Sequence, residues 1–465
     1  MKRVAVVAAL ASSMAIAAGT MPSLSARAEG GPVKVVVLVV DGLHPSEVNP
    51  VDAPNIASLR EAGTWYEESR SIFVAETIPN HVAMMTGAYG QRSGIPVNKW
   101  WSRDPEDEPG SDMDDPALLK AETLFTTIDK NCPDLRTAAV LSKTYLHGIF
   151  SGDRDGDGAP DADYLWDPQP VVPGSGHAPD PFTTDIVLDE IPNRPDLLFV
   201  NLGDVDRSGH VDPSGIQDPA FRAAILHDTD VQVGRIVDAL KASGDWEKTV
   251  MVLTSDHSMD WSTPGDYISL DEVFSGDDRT AGKYEVIQNG GVDNVYLKPD
   301  VENRRSVLKT MYELATGTDG VAGVYYRRPN PEHMKGAVAP RAWGLRTKRV
   351  GDLIAMAAPG RRFSDPSSTD NPIPGNHGHA VTRHNVMLVS GGSPLVLPKT
   401  VAASDPDKVD PLNDTRALPE QSETVDIGVT IAWLLGLEDP GVHRPQFQGR
   451  VLDEAFTSRP EPACT

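Results

Sequence analysis

Three long apolar runs constrain the fold of this chain more than any other feature of its sequence. They are KVVVLVV at Lys34–Val40, LLFVNL at Leu197–Leu202 and TVMVLT at Thr249–Thr254. Runs with almost no polar alternation are typical of parallel strands that are buried on both faces. Segments with a helical pattern lie between them, and this order of elements indicates an α/β architecture. We therefore predict an α/β fold, a three-layer sandwich around a central, mostly parallel β-sheet.

Acidic and imidazole side chains follow these runs at once or within a few residues. In open α/β sheets, ligands bind beyond the carboxyl ends of the strands, so these side chains are expected to converge. Carboxylate and imidazole groups are common zinc ligands, and two such ions can clamp an in-line phosphoryl displacement. Each group alone fits an ordinary turn or hydrogen bond, but together they favour a two-metal site. The candidate ligands are Asp41, Asp206, His210, Asp256 and His257, with His377 in a later PGNHGH segment.

A candidate nucleophile, Thr77, begins the segment TIPNHVAMMTG. Pro79 suits the first turn of a helix, because the N–H group that proline lacks would be unpaired there. Thr77 is therefore expected at a helix N-terminus, where free N–H groups and the helix dipole favour an anion. The plain alternative is a threonine that only caps the helix. Next to metal ions, however, its hydroxyl group could act as a nucleophile.

Several sequence pieces resemble the alkaline phosphatase superfamily, and most of all its nucleotide pyrophosphatase/phosphodiesterase branch, the type I phosphodiesterases. The pieces occur in that family's order and cover nearly all of the chain after residue 28. The resemblance implies an alkaline phosphatase-like fold and hydrolysis of a phosphate ester. The matching pieces are VVVLVVDG, ETIPNH, GIPVN, DRSGH, TSDHSM, NHGH and TVDIGVTIAWLLGL.

The resemblance also implies roles for individual residues. Asp206, His210 and His377 would bind one zinc ion, and Asp41, Asp256 and His257 would bind the other, with Thr77 as a further ligand. Thr77 would attack phosphorus and form a phospho-threonine intermediate. Asn98 would donate its amide N–H to a phosphate oxygen in the transition state. Iron or manganese accept similar ligands, so the metal identity stays open.

Lys143 marks a departure from part of the superfamily. The phosphomonoesterases have a Lys-x-Arg pattern here, whereas this chain has Lys143-Thr144-Tyr145 and so only one of the two cations. One cation favours a less charged group, such as a phosphodiester. With the family resemblance, we predict an exported hydrolase of phosphodiesters or nucleotide pyrophosphates. A phosphomonoesterase or a phosphonate hydrolase on the same scaffold is the first alternative. A catalytically silent, metal-stabilised binding protein at the cell surface is the second.

The charge of the chain limits its partners. With 42 basic and 67 acidic residues, its formal net charge is −25. Such an acidic surface repels nucleic acid polymers and anionic membranes, so we expect a small-molecule phosphate ester as substrate and no binding of nucleic acid polymers. The anion would have to be captured by local positive charge, which bound metal ions could provide.

The N-terminal residues 1–28 are predicted to be a cleavable secretory signal. Lys2 and Arg3 precede an apolar core at residues 4–18, and Ala-Arg-Ala at residues 26–28 fits a cleavage site. A retained anchor is the weaker interpretation, because a membrane span needs about 20 apolar residues. We therefore expect a periplasmic or secreted protein with no membrane span. Outside the cytoplasm, Cys132 and Cys464 could form one disulfide or remain two free thiols.

Residues 29–465 are predicted to form the catalytic domain, and residues 260–375 an inserted, cap-like subdomain within it. A helix is expected over residues 116–130. An acidic loop comes next, with carboxylates at alternate positions and Gly158 at a turn, and it resembles the calcium loops of thrombospondin type 3 repeats and dockerins. We predict that it binds one structural Ca²⁺ ion. Its candidate ligands are Asp153, Asp155, Asp157, Asp161 and Asp163.

Overall fold

The computed structural model describes residues 31–104, 106–154, 156, 158–173, 175–210, 218–262, 267–364, 375–404, 420–437 and 447–464. The predicted signal at residues 1–28 lies outside these ranges, as do Asp155 and Asp157 of the predicted calcium loop. Within the described ranges, no helix combines the length and the apolar character that crossing a membrane would require.

The strands form one large sheet and several smaller ones. In chain order they are β1 Lys34–Val40, β2 Thr64–Tyr66, β3 Lys99–Trp100, β4 Ser111–Asp112, β5 Thr137–Leu141, β6 Tyr164–Leu165, β7 Leu197–Leu202, β8 Thr249–Thr254, β9 Asp260–Trp261, β10 Tyr284–Asn289, β11 Val292–Leu297, β12 Val321–Tyr326, β13 Leu353–Ala357, β14 Gly375–Asn376, β15 Met387–Ser390 and β16 Lys399–Val401.

The α-helices alternate with these strands through most of the chain. They are α1 Pro54–Ala62, α2 Thr77–Thr86, α3 Gly90–Ser93, α4 Leu124–Asn131, α5 Thr144–Phe150, α6 Asp180–Glu190, α7 Asp204–His210, α8 Pro219–Ala242, α9 Leu270–Ser275, α10 Arg304–Thr316 and α11 Thr424–Leu435.

The large sheet has the strand order β16-β2-β15-β8-β1-β7-β5-β6. Its centre is parallel, because β1 pairs in parallel with both β7 and β8, and β7 continues in parallel to β5. Beyond β8, β15 is antiparallel to both of its neighbours, β8 and β2. The three apolar runs of the sequence are thus adjacent central strands, and their carboxyl ends meet at one edge of the sheet.

The two faces of β1 pack against different helix layers. Val35, Val37 and Val39 belong to a core that α2, α4, α5 and α11 complete. Val36, Leu38 and Val40 belong to a second core that α1, α6 and α8 complete. Because successive side chains of a strand point to opposite faces, one apolar run serves both cores. The predicted three-layer sandwich with a mostly parallel sheet is confirmed.

A second, antiparallel sheet lies between residues 284 and 357. Its order is β10-β11-β13-β12, and it has an apolar core of its own together with α9 and α10. The hairpin between β10 and β11 turns at Gly290, whose φ of 65° favours glycine. Its tip meets the segment around His377, where the Gly291 N–H donates to the His377 carbonyl oxygen.

The segment of residues 116–130 differs from the sequence-based prediction, and the two cysteines, for which the sequence left two alternatives, are paired. The prediction of one helix over residues 116–130 is wrong. A 3₁₀ turn at Pro116–Leu118 is capped by Asp115, and the chain is then extended until Thr123 caps α4 with its side chain. Two capping side chains therefore define two separate elements. Cys132 and Cys464 form a disulfide that ties the end of α4 to the C-terminal segment.

Candidate active site

Thr77 is the first residue of α2 and is almost completely buried. The residue before it, Glu76, has an extended backbone and serves as the N-cap position. The Thr77 hydroxyl oxygen lies 3.3 Å from His257 Nε2 and 3.5 Å from Lys143 Nζ. The helix start that the proline pattern predicts therefore brings a hydroxyl group next to an imidazole and an ammonium group.

Three buried carboxylates surround this hydroxyl group. Asp41 follows β1, Asp256 follows β8, and Asp206 lies on the short helix α7 after β7. Each of them has one buried oxygen that accepts no hydrogen bond from the described residues, namely Asp41 Oδ1, Asp206 Oδ1 and Asp256 Oδ2. Buried polar atoms are nearly always paired in folded proteins, so three such oxygens in one cluster fit a site for cations.

The three histidine rings of the cluster all place Nδ1 at a main-chain carbonyl oxygen and leave Nε2 for the cluster. His257 Nδ1 lies 3.1 Å from the Ser258 carbonyl oxygen, and His377 Nδ1 lies 3.0 Å from that of Ala75. His210 Nδ1 lies 3.2 Å from the Gly375 carbonyl oxygen. Because each Nδ1–H can donate to a carbonyl, the Nε2 lone pairs are left for another partner, as in most metal-binding histidines.

Burial keeps two of these histidines neutral. It lowers the pKa of His257, and it lowers the pKa of His377 well below the ordinary value, with nearby His257 adding to the effect. Their rings stack 3.6 Å apart at an angle of 11°. A histidine must be neutral to bind a metal ion, so this environment suits ligands.

Among the described residues, two groups at this place could each hold an ion. One consists of Asp41, Asp256 and His257, and the other of Asp206, His257 and His377, with donor atoms within 4.8 Å of one another. His257 thus belongs to both groups. The sixth predicted ligand, His210, stands at the rim, with Nε2 3.4 Å from Asp206 Oδ1 and a side chain that is 33% exposed. The nitrogen and oxygen donors fit zinc or a similar divalent ion.

Lys143 extends into the same cluster and is buried. Its Nζ lies 2.8 Å from Asp206 Oδ2 and 2.9 Å from Asp41 Oδ2, so it contacts one carboxylate of each group. Burial alone would lower the pKa of Lys143, but the carboxylates of Asp206 and Asp41 raise it well above the ordinary value. Lys143 is therefore a cation in the centre of the cluster.

Asn98 is attached to both neighbours of Thr77. Its side-chain oxygen accepts a hydrogen bond from the Ile78 N–H at 2.8 Å, and its own main-chain N–H donates to Glu76 Oε2 at 2.8 Å. With its oxygen used in this way, the Asn98 amide nitrogen makes no hydrogen bond to any described residue. It is the donor of this side chain that a substrate could use.

Three further residues support the site and were missed by the sequence analysis. His81 Nδ1 lies 2.9 Å from the Thr77 carbonyl oxygen, and its Nε2 lies 3.0 Å from Asn201 Nδ2. Asn201 Nδ2 also donates to Asp41 Oδ2 at 3.0 Å. Burial lowers the pKa of His81 to about 4, so this ring is neutral. The signal for Asn201 was present, because it is the one polar residue in the apolar run of β7.

The third missed residue is Glu76. Its side chain is buried, and burial raises the pKa of its carboxyl group to about 8. This carboxyl group accepts the main-chain N–H of Asn98 next to Thr77, so it is a structural part of the site. Its only signal in the sequence was its place in the ETIPNH segment.

A third group of donors, His177, Asp180 and Asp204, lies at the start of α7. Its atoms are largely used within the protein. His177 Nε2 lies 2.9 Å from Asp204 Oδ1, and Asp180 accepts hydrogen bonds from Thr229 and from the main chain of Gly203. The group holds the start of α7, the helix that carries Asp206 and His210.

In the predicted calcium loop, the described carboxylates have partners in the protein. Asp153 accepts main-chain N–H groups of its own loop. Asp161 accepts the Thr126 hydroxyl group and Asp163 the Thr137 main-chain N–H. Calcium binding at this loop stays a prediction.

Several known proteins are similar to this chain in sequence or in fold. Bis(5'-adenosyl)-triphosphatase ENPP4 of Pongo abelii is 22% identical over 59% of this chain and 62% of its own length. Human ectonucleotide pyrophosphatase/phosphodiesterase family member 5 is 22% identical over 77% of this chain and 69% of its own length. The match thus spans less than two thirds of the first of these relatives.

A solved structure of murine ectonucleotide pyrophosphatase/phosphodiesterase 5, an inactive threonine-to-alanine variant in complex with AMP, superimposes with a TM-score of 0.67. It is 19% identical and is matched over 91% of this chain and 100% of its own. The family model described as type I phosphodiesterase / nucleotide pyrophosphatase matches residues 35–380, which span the site from Asp41 to His377. By this match, the chain belongs to the type I phosphodiesterase / nucleotide pyrophosphatase family.

Proposed function

We propose that this protein is a two-metal hydrolase of phosphodiesters or nucleotide pyrophosphates that uses Thr77 as its nucleophile. The observation that carries the proposal is the Thr77 hydroxyl group at a helix N-terminus, in one cluster with three buried carboxylates. Each carboxylate has an oxygen that no described residue hydrogen-bonds. The family supports the reaction class. The names of similar proteins, a bis(5'-adenosyl)-triphosphatase and a phosphodiesterase in complex with AMP, support a nucleotide substrate.

The resemblance to the family supports the assignment of ligands to two ions, which we propose to be zinc. Asp41, Asp256 and His257 would hold one ion next to Thr77, and Asp206, His210 and His377 would hold the other. When bound, such ions supply positive charge to the phosphate oxygens and lower the pKa values of the nucleophilic hydroxyl group and of water.

The residues of the chain would carry two displacements. In the first, Thr77 Oγ1 forms a bond to phosphorus and its hydroxyl proton passes to solvent. The bond from phosphorus to the leaving-group oxygen breaks, and that oxygen takes up a proton from solvent. The phosphoryl group is then held as a phospho-threonine ester. In the second, water attacks phosphorus, and Thr77 regains its hydroxyl group as the phosphate product leaves. The start of α2 supports the attacking oxygen through its N–H groups and dipole.

Asn98 and Lys143 would stabilise the charge of the transition state. The Asn98 amide nitrogen has no hydrogen bond to a described residue and could donate to a non-bridging phosphate oxygen. Lys143 brings one ammonium group, with no arginine at the position two residues later. A single cation at this place fits a singly charged diester better than a dianionic monoester. A phosphomonoesterase or phosphonate hydrolase remains the second candidate.

The test is turnover by Thr77→Ala and Thr77→Ser, with bis-nitrophenyl phosphate and nitrophenyl phosphate as substrates. Purified protein is first assayed for its metal content. We expect the diester to be preferred, Thr77→Ala to lose turnover by at least about 10³-fold, and Thr77→Ser to retain a measurable part of it. Full activity of Thr77→Ala would refute the nucleophile, and preference for the monoester would favour the second candidate. Absence of turnover with intact metal binding would favour the binding protein.

We also propose export through residues 1–28 and a structural Ca²⁺ ion at residues 153–163. The sequence patterns support both. The N-terminal sequence of the purified mature protein tests the first, which fails if residues 1–28 are retained. A calcium titration of the melting temperature tests the second, because an ion that binds the folded state stabilises it. An unchanged melting temperature would argue against the calcium site.

A further inference from the structure

The tip of the β10–β11 hairpin contacts two separate parts of the candidate active site. On one side, the Gly291 N–H donates to the His377 carbonyl oxygen at 2.6 Å. On the other side, the Asn289 side chain contacts the main chain of Lys99, the residue after Asn98. The antiparallel sheet of β10, β11, β13 and β12, called the inserted sheet below, therefore contacts two segments of the site. One contains His377, a proposed metal ligand, and the other contains Asn98, the proposed transition-state donor.

The hairpin lies against His377 so closely that only glycine fits at its turn. A Cβ atom on Gly290 would lie 2.5 Å from the His377 carbonyl oxygen, and one on Gly291 would lie 1.9 Å from His379 Nδ1. Both distances are far below van der Waals contact. The Gly290–Gly291 turn thus lets the hairpin pack against the segment of His377 and His379. Asn289 is the residue directly before this turn.

Asn289 holds Lys99 with both atoms of its amide. The Lys99 N–H donates to Asn289 Oδ1 at 2.9 Å, and Asn289 Nδ2 donates to the Lys99 carbonyl oxygen at 3.2 Å. The pair imitates the two hydrogen bonds of neighbouring strands, and Asn289 is buried. A side chain that satisfies both main-chain groups of one residue fixes the position of that residue strongly.

The position of Lys99 bears directly on Asn98. Asn98 is also held by Glu76 through its main-chain N–H and by Ile78 through its side-chain oxygen. Asn289 adds the constraint on its C-terminal side. Glu76 and Ile78 belong to the segment around Thr77, whereas the hydrogen bonds of Asn289 come from the inserted sheet.

We propose that Asn289 is a positioning residue that sets the Asn98 amide relative to Thr77, and that the inserted sheet is thereby part of the catalytic framework. This inference rests on the proposed function, because it requires Asn98 to stabilise the transition state. Asn289 itself does not contact the nucleophile. Its effect must therefore pass through Asn98, and this is what separates a positioning role from a general contribution to folding.

The test is a double-mutant cycle with Asn289→Ala, Asn98→Ala and the double variant, each assayed for kcat, KM, metal content and melting temperature. We expect Asn98→Ala to lower kcat about 10²–10³-fold, as the loss of one transition-state donor does. Asn289→Ala should lower kcat about 10–100-fold, since small displacements of catalytic groups have effects of this size. KM and metal content should stay close to those of the unchanged protein. In the Asn98→Ala background, Asn289→Ala should lower kcat by less than about threefold.

Asn294→Ala is the matched control. Asn294 is a buried asparagine of the same hairpin, and its side-chain oxygen accepts the Gly351 N–H within the inserted sheet. The control should lower the melting temperature about as much as Asn289→Ala but leave kcat within about threefold. If Asn289→Ala does not fold, Asn289→Asp retains the acceptor for the Lys99 N–H and should lower kcat by an intermediate factor.

Three results would overturn the inference. An unchanged kcat in Asn289→Ala, with a lowered kcat in Asn98→Ala, would refute the positioning role and leave the proposed function intact. An equal loss from Asn289→Ala in both backgrounds, or a loss of metal, would show that Asn289 acts elsewhere. An unchanged kcat in Asn98→Ala would refute the role of Asn98 and this inference together.

Discussion

The ammonium group of Lys143 lies 2.8 Å from Asp206 Oδ2, and both side chains are almost completely buried. The same ammonium group lies 2.9 Å from Asp41 Oδ2, so one lysine neutralises carboxylates of both proposed metal groups. Buried carboxylates need an opposite charge nearby. Lys143 supplies part of that charge in the protein itself, and bound metal ions would supply the rest.

Replacing Lys143 with methionine should therefore destabilise the metal-free protein more than the metal-loaded one. Removal of one partner of a buried ion pair typically costs about 3–5 kcal/mol, because the other charge stays buried without compensation. We expect a loss of this order in EDTA and a clearly smaller loss with excess zinc. Urea unfolding under both conditions measures the difference.

Lys130→Met serves as the control for this experiment. Lys130 forms a partly exposed ion pair with Glu122, and such pairs contribute about 0–1 kcal/mol. Its replacement should have a small effect that does not depend on metal. An equal loss of stability for Lys143→Met with and without zinc would show that metal ions cannot replace Lys143 in neutralising the carboxylates of Asp41 and Asp206.

Metal binding itself should fall from two ions to about one when Asp256 is replaced by asparagine. Asp256 Oδ1 accepts the main-chain N–H of Gly42 and that of His257, whereas Oδ2 has no hydrogen-bond partner among the described residues. Asparagine can keep the first two bonds, but it removes the carboxylate charge from the ligand group. Elemental analysis of the purified variant measures the stoichiometry, and turnover should fall with it.

Asp204→Asn provides the comparison for metal content. Asp204 belongs to the donor group at the start of α7, where its oxygens already pair with His177 and with the Asp180 N–H. Its replacement should leave both metal ions bound. Two ions in Asp256→Asn would contradict the ligand assignment, and a loss of metal in Asp204→Asn would mean that this third group binds an ion as well.

The sequence predicted the sheet well because central parallel strands carry their own signal. A strand buried on both faces must be apolar throughout, so β1, β7 and β8 are visible as runs without any knowledge of their neighbours. The convergence of Asp41, Asp206 and Asp256 has the same origin. Their strands are adjacent and parallel, so the residues beyond the three carboxyl ends meet at one edge of the sheet.

Other parts of the site depend on contacts that no local pattern reveals. Asn289 and Lys99 are 190 positions apart, and nothing near either residue indicates their pairing. The failed prediction of a helix over residues 116–130 has the opposite cause. There the signals are local, because the side chains of Asp115 and Thr123 each cap the start of a separate element within the predicted helix.

Glu76 should act through its hydrogen bond and not through its charge. Its Oε2 atom accepts the Asn98 N–H at 2.8 Å, and a glutamine oxygen can accept the same bond. We expect Glu76→Gln to keep kcat within about threefold and Glu76→Ala to lower it by about tenfold or more, because the donor would be less well placed. Steady-state kinetics with a diester measures both. A similar loss in Glu76→Gln and Glu76→Ala would indicate that the carboxyl group itself is required.

The stability of the protein should depend on pH through Asp426, a buried residue of α11 far along the chain from the site. Burial raises the pKa of this carboxyl group to about 7, from an ordinary value of 3.8, and nearby Glu423 adds to the increase. Its oxygens accept the main-chain N–H groups of Glu423 and Arg450. Between about pH 4 and pH 7 the folded state therefore holds a proton that the unfolded state has released.

By linkage, the contribution of Asp426 to the free energy of unfolding is largest below about pH 4. It falls as the pH rises to about 7 and is constant above that. Asp426→Asn does not titrate, so the stability advantage of the unchanged protein over this variant should shrink from pH 5 to pH 8, by on the order of 1–3 kcal/mol. Urea unfolding at the two pH values measures it. Asp277→Asn is the control, because Arg279 lowers the pKa of Asp277 to about 2, so its carboxylate is ionised throughout this range. A difference between the unchanged protein and Asp426→Asn that grows with pH would mean that the buried carboxylate is stabilised as an anion by its N–H partners.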